Sequence, residues 1–390
     1  MTAHESAEKA RRAPAPEHVL TRRELLDGAV IAAGGLALGS GFLAACGRKG
    51  AEAGGARRRG PLRISNWPLY IDKDTVPQFE AATGIDVEYN EDVNDNNEFF
   101  AKIDEPLKRG QSIARDIIVL TDWMAGRLIR LGYVQPIPDD QFPNKANLID
   151  SLRNVEFDPG RKYTVPWLSG MAGLGYNPKR TGRDLTSIND IFDPQFKGQV
   201  TMLTEMRDTL GLIMLGLGKD PAACTLDDAK AACAKIKQYR ENGHIRKFTG
   251  NDYAADLAAG NIAAAIAWSG DIQGLAADNP DLRWIAPAEG AMLFSDNMMI
   301  PRTSTQADLA AAWMNYVYVP AHSAQIFTAT PYISAVKGAV EALATINPQL
   351  ARSPLVNPPP ELRQRLHIFR WLDEADDREF NRLFQDAIGA

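Results

Sequence analysis

The sequence predicts an α/β protein of two lobes built on mostly parallel sheets, and three observations predict it. Strand and helix patterns alternate as βαβαβ between residues 62 and 120, the order that produces a parallel open sheet. The pattern restarts after Gly198. At 390 residues, 45% hydrophobic and 24% charged, the chain is long enough for roughly two globular domains with real cores.

In chain order, the first lobe reads as a strand over 62–67, a helix over 74–82 stopped by Gly84, and a strand over 85–89. A helix over 96–109 ending at Gly110 and a strand over 116–120 follow. Asp92, Asn94 and Asn96 sketch a calcium loop, but Asn97 stands at the required glycine and Ile103 at the bidentate glutamate. Capping of the second helix by Asp95 or Asn96 is the better account. The second lobe reads as a strand over 200–203, a helix after Arg207, a helix from Thr225 toward Arg240, and strands over 245–248, 262–268 and 282–285. Thr225 with Asp228 has capping-box spacing, which opens that third element. A helix over 309–317 and C-terminal helices over 361–387 complete the lobes. Ligands of such sheets sit beyond the carboxyl ends of the strands. That rule points to Trp67, Tyr70, Thr121, Asp122 and Trp123, and again to Thr204, Glu205, Trp268 and Ser269.

Residues 1–45 read as a processing signal: a polar stretch with Arg22-Arg23 ahead of Leu25-Leu26, then an apolar run. This layout resembles that of a twin-arginine signal peptide, with an ordinary secretory signal as the alternative. The run closes on Leu43-Ala44-Ala45-Cys46-Gly47, which is similar to a bacterial lipobox and makes Cys46 the acylated residue. It is too short for the ~20 residues of a membrane-spanning helix. Residues 46–61, rich in glycine and carrying Arg57-Arg58-Arg59, read as a flexible tether, with a coil span on the order of 20 Å. Cys224 lies just outside the helix that opens at Thr225 and Cys233 more than two turns inside it, roughly 12 Å apart and beyond disulfide reach.

The net charge of −6 leaves no basic excess for phosphates, so nucleic acid is not the expected partner. Beyond the signal, the histidines are His244, His322 and His367, each isolated, and no HExxH, CxxC, GxSxG or Walker motif occurs. The chain is therefore not expected to be an enzyme, nor to carry a metal or cofactor. Aromatic residues and carboxylates instead gather at strand ends and loops. Trp67, Tyr70, Trp123, Trp268, Phe294 and Tyr332 are interspersed with Glu205, Asp208 and Asp296. Ring faces attract cations, and a desolvated ammonium needs a carboxylate partner. Any single ring among them fits a hydrophobic core as well, and Trp313, on a helix, belongs there.

The order of several segments resembles one family. Ser65-Asn66-Trp67-Pro68-Leu69-Tyr70, then Phe79 to Val87, Asp116 to Val119, Phe196 to Val200, Trp268-Ser269-Gly270, and Phe294-Ser295-Asp296-Asn297 ahead of Ile300-Pro301 are similar to the spermidine/putrescine-binding proteins that deliver ligand to ABC importers. The resemblance implies a two-lobed periplasmic-binding-protein fold with the ligand cleft between the lobes. The lobes are expected over 62–168 plus 295–335 and over 169–294 plus 336–390. Carried over by residue, it implies a site of Trp67, Tyr70, Thr121, Trp123, Glu205, Asp208, Trp268, Phe294, Asp296 and Tyr332. Asp208 with Glu205 would take a terminal amine and Asp296 an inner one. Phe294 stands where the family often has tryptophan, and Leu372 where spermidine binders have a glutamine. The expected protein is a monomeric, lipid-anchored, extracytoplasmic binding protein that hands a polyamine to a membrane permease. A sugar-binding protein of the same architecture is the nearest rival, and an exported enzyme the next.

Overall fold

The computed structural model describes residues 60–390. The signal reading, the Cys46 lipobox and all of the tether before Gly60 lie outside them.

The first half of the chain builds as its pattern predicts. β1 (Leu62–Asn66), α1 (Thr75–Thr83), β2 (Val87–Glu91), α2 (Asn96–Lys108) and β3 (Ile117–Thr121) give three parallel strands in the order β2-β1-β3. β2 begins two residues later than its pattern suggests, because α1 runs to Thr83 and Ile85-Asp86 become the connection. Asp95 opens α2, its side chain accepting from the backbone N–H groups of Asn97 and Glu98, which satisfies two donors that the helix leaves orphaned. α3 (Asp122–Arg130) follows β3 without a loop, and β4 (Val134–Gln135) is a short addition.

Next comes β5 (Thr164–Tyr176), thirteen residues buried along their whole length. After the single turn α4 (Pro178–Thr181), the second unit runs β6 (Val200–Leu203), α5 (Met206–Gly216), α6 (Leu226–Glu241), β7 (Ile245–Thr249), α7 (Tyr253–Ala258), β8 (Ala264–Trp268), α8 (Ser269–Asp278) and β9 (Arg283–Ile285). α6 carries the expected capping box, with Thr225 and Asp228 bonded reciprocally. Cys224 and Cys233 are both buried free thiols. The chain then returns through β10 (Ala291–Pro301), α9 (Ala307–Val317), α10 (Pro320–Ala329), β11 (Ile333–Ser334), α11 (Ala339–Ile346) and α12 (Pro348–Ala351). The expected C-terminal helices prove to be one turn, α13 (Pro360–Arg363), a two-residue strand β12 (Leu366–His367) and one long helix, α14 (Glu374–Ile388).

The two parallel regions are not separate sheets. Hydrogen bonding runs unbroken as β2-β1-β3-β10-β5-β8-β6-β7, with parallel pairs at both flanks and antiparallel pairs where β10 and β5 join them. A register shift interrupts the β10/β5 ladder between Asp296 and Asn297. Gly170 lies on β5 where its neighbours approach closely: a Cβ there would stand 2.4 Å from the Phe294 ring and 2.7 Å from that of Tyr332. Phe79, Trp313 and Ile64 pack the first flank, and Met202, Leu210 and Ile266 the second.

Candidate functional site

Four strands aim their carboxyl ends at one place. Trp67 follows β1, Thr121 ends β3, Glu205 caps the start of α5 after β6, and Trp268 ends β8. β10 crosses between the flanks and contributes Phe294 and Asp296, while Tyr332 comes from the turn after α10. The cavity these residues enclose is narrow, about 30 Å³. That is room for little more than a water or two, so any larger molecule enters only when the walls part.

The walls are rings set edge to face. Trp67 meets Trp268 with centroids 5.9 Å apart, and Tyr70 meets Tyr332 at 5.0 Å. Phe294 lies against both Trp268 and Tyr332. Behind the rings stand four carboxylates. Asp296 accepts from the Tyr70 hydroxyl at 2.9 Å and from Thr121 Oγ1 at 2.8 Å. Asp208 accepts from Trp268 Nε1 at 2.8 Å. Glu205 accepts from Asn96 Nδ2 at 2.9 Å through Oε2, while its buried Oε1 has no protein partner. Asp271, in the first turn of α8, accepts from Tyr253 and Tyr332 hydroxyls at 2.7 Å each and from Asn251 at 3.1 Å.

Burial controls the charge of all four. Desolvation pushes Asp296 up to about 7, against the lowering effect of its bonds from Thr121 and Tyr70. Glu205 is raised by burial first and by the neighbouring Asp208 charge second. Asp208 and Asp271 are raised by burial, opposed in Asp208 by the Trp268 bond and the nearby Arg207 charge and in Asp271 by its hydrogen bonds. Among the described residues the lining carries no lysine, arginine or histidine. Such a site disfavours anions, and its acids offset the cost of burial either by holding protons near neutral pH or by gaining a cation.

Nine of the ten sequence-predicted binding residues line this cavity: Trp67, Tyr70, Thr121, Glu205, Asp208, Trp268, Phe294, Asp296 and Tyr332. Trp123 does not. Its buried ring lies beneath the guanidinium of Arg207, 4.1 Å from the ring centre, because α3 turns it sideways from the end of β3. Asp122 also faces away, accepting from Asn297 Nδ2 at 2.6 Å, and burial raises it to about 6 despite the nearby Arg161. Leu372 is a core residue, 2% exposed, and takes no part in the lining. Four lining residues escaped the sequence reading: Pro68, Asn96, Asn251 and Asp271. Asp271 carried a usable signal, standing three residues after a strand-end tryptophan in the first turn of a helix.

The fold and the site together define a solute receptor, and the chain belongs to the bacterial extracellular solute-binding proteins, whose family model matches residues 74–358. The putrescine-binding periplasmic protein PotF of Escherichia coli strain K12 is 30% identical over 337 residues, which cover 81% of this chain and 88% of that one. The putrescine-binding periplasmic protein SpuD of Pseudomonas aeruginosa strain UCBPP-PA14 is 29% identical, over 82% of this chain and 90% of its own length. Among solved structures, a putative spermidine/putrescine ABC transporter from Listeria monocytogenes superposes with a TM-score of 0.75 at 25% identity, covering 84% of this chain and 98% of that one. The resemblance read from the sequence segments and the two-lobed periplasmic-binding-protein fold are both borne out.

Proposed function

We propose that this protein is the extracytoplasmic binding component of an ABC importer and that it encloses a short polyamine, putrescine foremost, between its lobes. One observation carries the reading: four buried carboxylates share an aromatic cage that has no basic side chain of its own. A diammonium supplies the missing charge, its alkyl chain lies against ring faces, and its N–H groups find acceptors at both ends. The names of the relatives at 30% and 29% identity support the same ligand.

In this reading Asp296 takes the first ammonium and Glu205 with Asp208 the second, while Asp271 fixes Tyr332 and adds negative potential. The lobes comprise 62–168 plus 295–335 and 169–294 plus 336–390, the second closing on the first. Cys46 anchors the protein to the membrane, where a permease receives the closed form. No catalysis is assigned to the site. Titration calorimetry with putrescine, cadaverine, spermidine, maltose and γ-aminobutyrate tests it. Saturable binding of a diamine is expected, and binding of the sugar or amino acid with silence from all three amines would overturn it.

A further inference from the structure

Asp377 of α14 is gripped by two guanidinium groups that come from opposite flanks of the sheet. Arg127 of α3 donates to its Oδ2 at 2.5 Å, and Arg207 of α5 donates to its Oδ1 at 2.7 Å. α3 packs on β3 and β10, whereas α14 packs on α5 and α6 beside β6. The Arg127–Asp377 pair therefore crosses the seam between the flanks. So does a second contact, for the Arg207 guanidinium lies 4.1 Å over the ring of Trp123, one turn ahead of Arg127 on α3. The seam is largely dry: side-chain exposure is 7% for Asp377, 11% for Arg207 and 19% for Arg127.

None of these four side chains lines the ligand cavity, yet Arg207 stands in sequence between Glu205 and Asp208, which do. Asp377 and Trp123 hold its charge on the seam side. Ion pairs this withdrawn from water are weakly screened, and the Arg207 guanidinium is stacked on an aromatic plane and bonded to a carboxylate through Nη2, while its buried Nη1 has no protein partner.

We propose that Trp123 and Arg127 of one lobe and Arg207 and Asp377 of the other form a closure latch, which keeps the lobes together around a ligand that it never touches. The proposal rests on the two-lobe reading above, not on which solute binds. These are positioning residues: they set how long the closed state lasts. Ligand meets the open form before the latch engages, so breaking the latch speeds release and does not slow encounter.

The test is Arg127→Gln, a partly exposed position where the helix is kept and the charge removed, with Arg127→Lys as the conservative variant. Stopped-flow tryptophan fluorescence with putrescine is expected to give a dissociation rate about tenfold faster for the glutamine variant, an association rate no slower than the parent's, and an intermediate dissociation rate for the lysine variant. Small-angle scattering of the ligand-free glutamine variant is expected to give a larger radius of gyration than the parent protein. A folded Arg127→Gln protein with the parent dissociation rate overturns the latch. If the parent protein binds no putrescine, the polyamine reading fails by itself, and an unchanged ligand-free radius of gyration then overturns the latch independently.

Discussion

The hydroxyl of Tyr70 donates to the carboxylate of Asp296 at 2.9 Å, joining the loop after β1 to the strand β10 that crosses between the flanks. Both side chains are buried, 4% exposed each. The bond fixes one carboxylate oxygen and Thr121 fixes the other, so the group is pre-set for a cation. Asp296→Asn keeps the shape and one accepted hydrogen bond, the other reversing so that the amide nitrogen donates to a hydroxyl, and it removes the charge. Leaving a buried ammonium without its partner costs about 3 to 5 kcal/mol, so putrescine affinity is expected to fall by roughly two to three orders of magnitude. Melting of the ligand-free protein should change little. Wild-type affinity in the folded variant sinks the assignment of this residue.

Affinity should also depend on pH. Burial holds Asp296 at about 7, and Glu205 and Asp208 are shifted in the same direction, so these groups bind protons near neutrality that a diammonium must displace. Binding is expected to tighten from pH 5 to 8 and to release protons, visible as calorimetric heats that differ between buffers of different ionisation enthalpy. The ligand-free protein should do the reverse in stability. Each acid has a folded pKa above its unfolded value, so between about pH 4 and 7 the native state holds more protons than the unfolded chain. Stability is fully present below that window and declines as pH rises through it. A flat affinity profile with no buffer dependence would refute the charge assignment.

Gly270, two residues past the end of β8, lets Tyr332 lie flat against the start of α8. A Cβ at that position would stand 2.1 Å from the Tyr332 ring, and the ring is held by its bond to Asp271. Gly270→Ala is expected to push the ring off its wall, weaken putrescine binding by about tenfold and lower stability by about 1 to 3 kcal/mol, the usual cost of overpacking. Denaturant unfolding and calorimetry on the same sample check both numbers. Unaltered binding would remove Tyr332 from the cage.

The anchor rests on the sequence around Cys46. Cys46→Ser should abolish incorporation of labelled fatty acid and shift the protein from the membrane to the soluble extracytoplasmic fraction. Unchanged partition would reject the lipobox.

Much of this architecture was legible because it is local. Thr225 and Asp228 announced a helix start, Asp95 announced another, and short apolar runs between them marked the flanking strands. The two long central strands were not legible for a physical reason. β5 carries Gly170, Gly173 and Gly175, which lower strand propensity in sequence yet admit Phe294, Trp284 and Ile272 in the fold. In the site, the aromatic and acidic residues near strand ends were found, while Asp271, delivered by α8, and Asn96, delivered by α2, were not. Trp123 failed for the same reason in reverse, since a helix beginning directly at Asp122 rotates the next side chain out of line with the strand.

The register shift between Asp296 and Asn297 has a mechanical consequence. If the lobes are as proposed, β5 and β10 carry two of the three crossings between them, and the break in the ladder of these strands would be the fulcrum, where atoms travel least. Asp296 sits on it. An arriving amine would then meet one finished contact in the open form, and the remaining walls would swing in about that point. Recognition would be sequential, with the central charge read first and the length of the molecule measured afterwards by whether the far acids reach its other end.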